Sequence, residues 1–97
     1  MTLQELFSDP SKWTKRALAR DSLGNQVLYS SPHAVCWCLL GGVYKCYNIS
    51  DQAKITKRIR KHVLTEQSGM LSIGNTYNDD PARTFADIRK LVEDLNL

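Results

Sequence analysis

Along the chain, the stretch Ala34 to Tyr44 (AVCWCLLGGVY) has no charge and no strongly polar side chain, and the mixed segments on either side of it are read as packed around it. It is too short to cross a bilayer, which takes about 20 apolar residues. Ser31 followed by Pro32 is the chemistry of a helix start, an N-cap and then a residue whose φ is already helical, so the pattern predicts a buried helix from Pro32 to about Cys46. Gly41 and Gly42 stand in the middle of that run, each costing a helix about 1 kcal/mol relative to Ala. Close approach of another backbone, from the last helix or a hairpin, would account for them. The alternative is that the helix bends or ends there.

The flanking segments show other periods. Thr2 to Phe7 predicts a short opening helix, with Thr2 and Glu5 forming a capping box, ended by Asp9-Pro10-Ser11. From Trp13 to Tyr29 the pattern turns to alternation, with Trp13, Ala17 and Ala19 on one parity and Val27 and Tyr29 on another. Asp21 to Asn25 lies between them, and its Gly24 and Asn25 suit positive φ, which predicts a β-hairpin. Such a hairpin is marginal alone in water and has to lie on an apolar surface, here the central helix. After a break at Asn48-Ile49-Ser50-Asp51, residues Gln52 to about Leu64 form a helix with Ile55, Ile59 and Val63 on one stripe. Glu66 to Asn78 reads as a loop or a short extra strand. Asp80 and Pro81 then start a last helix whose Phe85, Ile88, Leu91, Val92 and Leu95 make an apolar face.

Length adds that all of this belongs to one domain over residues 1–97, with a core too small to spare much for a deep catalytic cleft. The 42% apolar and 24% charged residues are those of a folded domain and unlike a disordered chain. MTLQELFSDPSKW has early acids and no apolar run of signal length, so a cytoplasmic protein is expected. Net charge is +3, unevenly laid out: residues 51–65 carry five cations against one acid, and residues 66–97 carry three against six. A basic middle beside an acidic end predicts either pairing between helices or a basic face open to an acidic partner. Lys54, Lys57, Arg58 and Lys61, opposite the apolar stripe, are candidate contacts to phosphates or to an acidic partner.

Cys36, Cys38 and Cys46 all fall on the predicted central helix, where neither two-residue nor eight-residue spacing permits a disulfide. Unpaired cysteines fit a reducing compartment. With no C-x-x-C pair and no histidine cluster, no metal and no cofactor are expected. His33 and Cys36 at the start of a helix would form a nucleophile's environment, since the dipole lowers a thiol's pKa. The plainer alternative makes Cys36 a small buried hydrophobe and His33 a solvated first-turn residue, and no third orienting group can be identified.

Three segments, ARDSLG (Ala19 to Gly24), AVCWCLLGG (Ala34 to Gly42) and NDDPARTFADI (Asn78 to Ile88), together resemble a family of small uncharacterised proteins of bacteria and their phages. That family shares an A-R-D-x-x-G turn, a W-C-x-x-G-A helix and an N-D-x-x-G-R-T helix start, in this order. Here Gly42 stands where the family usually has Ala, and Ala82 where it has Gly. The resemblance brings no activity; it implies a compact domain of bacterial or phage origin, an accessory or host-interaction protein. Within these motifs Arg20, Asp21, Asn78, Asp79, Arg83 and Thr84 form a candidate polar site. Two readings of it stand side by side: a structural network of caps and ion pairs, with Arg20 on Asp79 or Asp21 on Arg83, and a ligand pocket.

The expectation is therefore an α+β fold, a β-hairpin packed on three main helices with the central one buried. Its expected role is a non-enzymatic binding or regulatory protein that works through contacts with another protein, without a membrane. Nucleic-acid binding through the basic helix is the alternative, and a small cysteine-dependent enzyme is third.

Overall fold

The computed structural model describes residues 1–63 and 73–97. It is α+β: a three-stranded antiparallel sheet and several helices around one core. The opening helix α1 spans Leu3–Leu6 and is closed by the Thr2–Glu5 capping box; Leu3 and Leu6 face inward. A 3₁₀ turn follows at Pro10–Lys12, with the Asp9 side chain accepting from the Ser11 N–H. Strands β1 (Ala19–Arg20) and β2 (Gln26–Val27) form the hairpin, paired Ala19 with Val27 and Arg20 with Gln26 across the Asp21–Asn25 loop. Gly24 in that loop has φ +84, the conformation for which a glycine was expected there. The ladder is shorter than the alternation suggests. Arg16, with φ 64, breaks the extended backbone before Ala17, so Trp13 lies outside the hairpin and reaches the sheet by a single parallel bridge to Trp37.

The central apolar run is not one helix from Pro32. Cys36–Trp37 form strand β3 on the other side of β1, with Ala19 opposite Trp37 and Arg20 opposite Cys36. Helix α2 covers only Leu39–Cys46. The Ser31-Pro32 signal makes a turn instead: Ser31 Oγ accepts from the His33 N–H at 3.1 Å, and the Ala34 N–H bonds Ser31 O. The reason lies in β1, whose free edge needs partners. Val35 N–H donates to Arg20 O and Cys38 N–H to Leu18 O, bonds that a helix over these residues would have withdrawn. The true N-cap is Cys38, whose Sγ accepts from the Gly41 N–H at 3.2 Å. All three cysteines are free, but only Cys46 lies within the helix.

The two glycines do permit close approach, and the helix runs through them. A Cβ on Gly41 would meet the backbone of Leu18, just before β1, with the carbonyl carbon 2.8 Å away. A Cβ on Gly42 would meet the Phe7 ring at 2.8 Å and Leu3 at 3.1 Å. The hairpin thus supplies the crossing backbone, while α1 fills the neighbouring space with side chains.

Helix α3 spans Ile49–Val63 and starts earlier than the pattern suggested, because Asn48 Oδ1 accepts from the Asp51 N–H at 2.9 Å and so takes the capping role. Ile55 and Ile59 are buried and Val63 packs against the core. The expectation for Glu66 to Asn78 lies partly outside the described residues. Within them, Ile73–Asn78 is a π-helical segment, neither loop nor strand, that buries Ile73, Tyr77 and Asn78. The last helix, α4, is Phe85–Asp94 and not a helix from Pro81. Asp80-Pro81-Ala82 folds as a turn closed by the Arg83 N–H on Asp80 O, and the Thr84–Asp87 capping box, with two reciprocal bonds, starts the helix instead. Ile88, Leu91 and Val92 enter the core as expected. Arg89 spans from α4 to the end of α1, donating to Gln4 O at 2.7 Å and Phe7 O at 3.1 Å. Among the described residues no helix is long and apolar enough to cross a membrane.

Candidate functional site

The predicted polar residues fall into three places. The first is centred on Asn78, which is fully buried. Its Oδ1 accepts from Trp13 Nε1 at 2.7 Å and from the Leu39 N–H at 2.9 Å, while its Nδ2 donates to Thr14 O and to Asp79 Oδ1, each at 3.0 Å. Leu39 is the first residue of α2, so Asn78 satisfies a helix N–H that has no partner within the helix. Asp79 Oδ1 also accepts from the Arg16 N–H at 2.8 Å, holding the left-handed residue in place. Arg20 joins this network from the sheet by donating to Thr14 Oγ1, Lys15 O and Gly24 O, not by pairing with Asp79. Asn78, Asp79 and Arg20 are therefore linked through the Trp13 to Arg16 segment.

Asp21 is apart from them, in the hairpin loop, where Oδ1 accepts from the Leu23 and Asn25 N–H groups. Those bonds, that from Asn25 first, hold its carboxyl below the usual range. Arg83 and Thr84 lie at a third place, and the suggested Asp21–Arg83 pair is not formed. Arg83 stacks on Tyr77 at 3.7 Å, donates to Tyr77 O at 3.0 Å and stands 4.0 Å from Asp80. With His62, Asp87 and Lys90 it lines a shallow cavity of about 190 Å³. The Thr84 N–H lowers the Asp87 pKa as part of the capping box. Burial raises the Tyr77 pKa.

Lys54, Lys57, Arg58 and Lys61 are all exposed on α3, and so is Arg60. Lys54 and Arg58 edge a cleft of about 420 Å³ beside Tyr47, Asp51 and Ile55. Arg58 donates to Leu95 O, which ties the helix to the end of α4.

The thiols are not where the helix-start reading needs them. Cys36 lies in β3, with Sγ 3.9 Å from Arg20 O, and His33 is exposed in the preceding turn. The thiol at the start of α2 is that of Cys38, and burial pushes its pKa up. Burial likewise pushes Cys46 up to about 11. Among the described residues no group of three or more His, Cys, Asp or Glu is arranged to hold a metal ion, and no buried side-chain N or O lacks a partner.

Sequence reasoning missed Trp13, Thr14 and Lys15 as the other half of the Asn78 network, Lys15 Nζ reaching Asp80 O at 2.7 Å. The one available signal was the Trp13 indole N–H, which needs an acceptor when its ring is buried. It also missed Cys38 as a cap and Arg89 as the clamp on α1.

No protein-family model, no curated protein and no solved structure matches this chain.

Proposed function

We propose that this is a non-enzymatic binding or regulatory protein, of bacterial or phage origin, that acts through contacts with another protein, and that the hairpin is its contact surface. The observation that carries this reading is the apolar exposure of the hairpin: Leu23 at its tip is 84% exposed and Leu28 after β2 is 74% exposed. Leu18, on the other limb, is also exposed, one register step beyond the Ala19–Val27 pair and opposite Leu28. Alternation puts Leu18 and Leu28 on the outer face with Arg20 and Gln26, away from buried Ala19. Trp13 bridges to Trp37 on the free side of β3, whereas among the described residues no strand pairs with the free side of β2. An uncharged edge flanked by exposed leucines suits strand addition by an extended segment of a partner, with backbone bonds for affinity and apolar contacts for selectivity.

The test is capture of partners from a nuclease-treated bacterial lysate by the immobilised protein and by the L23S/L28S variant. A protein retained by the parent and lost by an equally stable variant is the expected result. No protein captured from the nuclease-treated lysate, or capture that the variant retains in full, would contradict the reading.

A further inference from the structure

Helix α3 carries a cluster of cations with which, among the described residues, no acid forms an ion pair. Lys54, Lys57, Arg58, Arg60 and Lys61 are exposed, and Asp51 is the one acid of the helix. The described acids at the end of the chain are occupied elsewhere. Glu93 pairs with Arg89 and Asp94 with Lys90, each at 2.9 Å within α4. Asp87 caps α4, Asp80 closes its own turn beside Arg83, and Asp79 holds Arg16. Glu5, Asp9 and Asp21 bond backbone N–H groups near them in sequence. Among the described residues, then, no ion pair joins an acid to Lys54, Lys57, Arg58, Arg60 or Lys61.

We propose that this face is a second binding site, for the phosphate backbone of duplex nucleic acid. Spacings of three and four residues put Lys54, Lys57, Arg58 and Lys61 on one side of the helix, opposite buried Ile55 and Ile59. From Lys54 to Lys61 the helix rises about 10 Å at ~1.5 Å per residue, and a nucleic-acid strand presents a phosphate about every 3.4 Å, so the cations face roughly three phosphates. The centre of this face has no large apolar side chain. Protein interfaces are depleted of charge at their centre, whereas phosphate contacts require cations and little else. Such contacts hold a duplex without reading its sequence. The site goes beyond the hairpin reading and does not depend on it.

Fluorescence anisotropy of a labelled duplex DNA of mixed sequence tests this. With about three phosphates neutralised, the log–log salt slope is expected near −2.7, so binding weakens about 40-fold between about 50 and 200 mM salt. The K54Q/K57Q/K61Q variant, with its melting temperature unchanged, is expected to bind at least about 10-fold more weakly at low salt and to show a flatter slope. Replacing the same lysines by arginine, or using L23S/L28S, is expected to leave binding intact. Absence of binding at low salt, a slope near zero, parental affinity in the glutamine variant, or tighter binding to polyglutamate or phosphatidylserine vesicles than to the duplex would each overturn the proposal.

Discussion

The side-chain oxygen of Asn78 receives the indole N–H of Trp13 at 2.7 Å and the backbone N–H of Leu39 at 2.9 Å. One amide thus joins the segment before the sheet to the first turn of the central helix. Because Asn78 is buried, Asn78→Ala leaves two donors and the Thr14 carbonyl without a partner, each costing about 1 to 3 kcal/mol. The expected loss is about 3 to 5 kcal/mol, read as a fall in the urea midpoint at unchanged m-value. A loss below about 1 kcal/mol would mean that water replaces the amide.

The two glycines of α2 should respond differently to Ala, although helix propensity favours both changes by about 1 kcal/mol. At Gly41 the new methyl meets the Leu18 backbone, which cannot move without shifting β1; at Gly42 it meets the Phe7 and Leu3 side chains, which have some freedom. Gly41→Ala is expected to cost about 3 kcal/mol or more and Gly42→Ala about 1 to 3 kcal/mol. Thermal melts of the two variants check the order, and equal melting temperatures would contradict it.

Cys38 occupies a position where Ser is a preferred residue. Since Cys38 Sγ accepts from the Gly41 N–H, Cys38→Ser is expected to keep the cap and melt close to the parent, whereas Cys38→Ala is expected to lose about 1 kcal/mol. This reverses the expectation from a helix beginning at Pro32, in which Cys38 would be an interior apolar residue and Ser the damaging change.

Alkaline stability should depend on Cys46. Burial raises its thiol from the ordinary 9.0 to about 11, so the folded state favours the protonated form. That contribution is complete below pH 9 and is lost as pH rises towards 11, because the unfolded chain releases the proton first. Chemical denaturation at a series of pH values is expected to show a decline across that window, and Cys46→Ala should flatten it. An identical decline in the variant would assign the effect to other groups.

What was readable in the sequence follows the range of the interaction responsible. The Thr2–Glu5 capping box, the Asp21–Asn25 loop, the Ile55–Ile59 stripe and the apolar face of α4 are fixed by residues a few positions apart, and each formed as expected. The boundaries that moved are those where a distant partner competed. Ser31-Pro32 and Asp80-Pro81 carry helix-start chemistry that serves equally well in turns, and pairing with β1 decided the first case. Arg20, Asp21, Asn78, Asp79, Arg83 and Thr84 were legible as polar residues at turns and near a helix start. Their division among three places was not, because Asn78 finds Trp13 at a separation of 65 residues and no local pattern records that.

The most direct measurement of the proposed function is hydrogen exchange on the protein, free and bound to the partner captured from nuclease-treated lysate. Added protection at the amides of Gln26 and Leu28 and around Leu23, with α3 unchanged, is the expected result. Protection confined to α3, or absent from the hairpin, would contradict the hairpin as the surface through which this protein meets its partner.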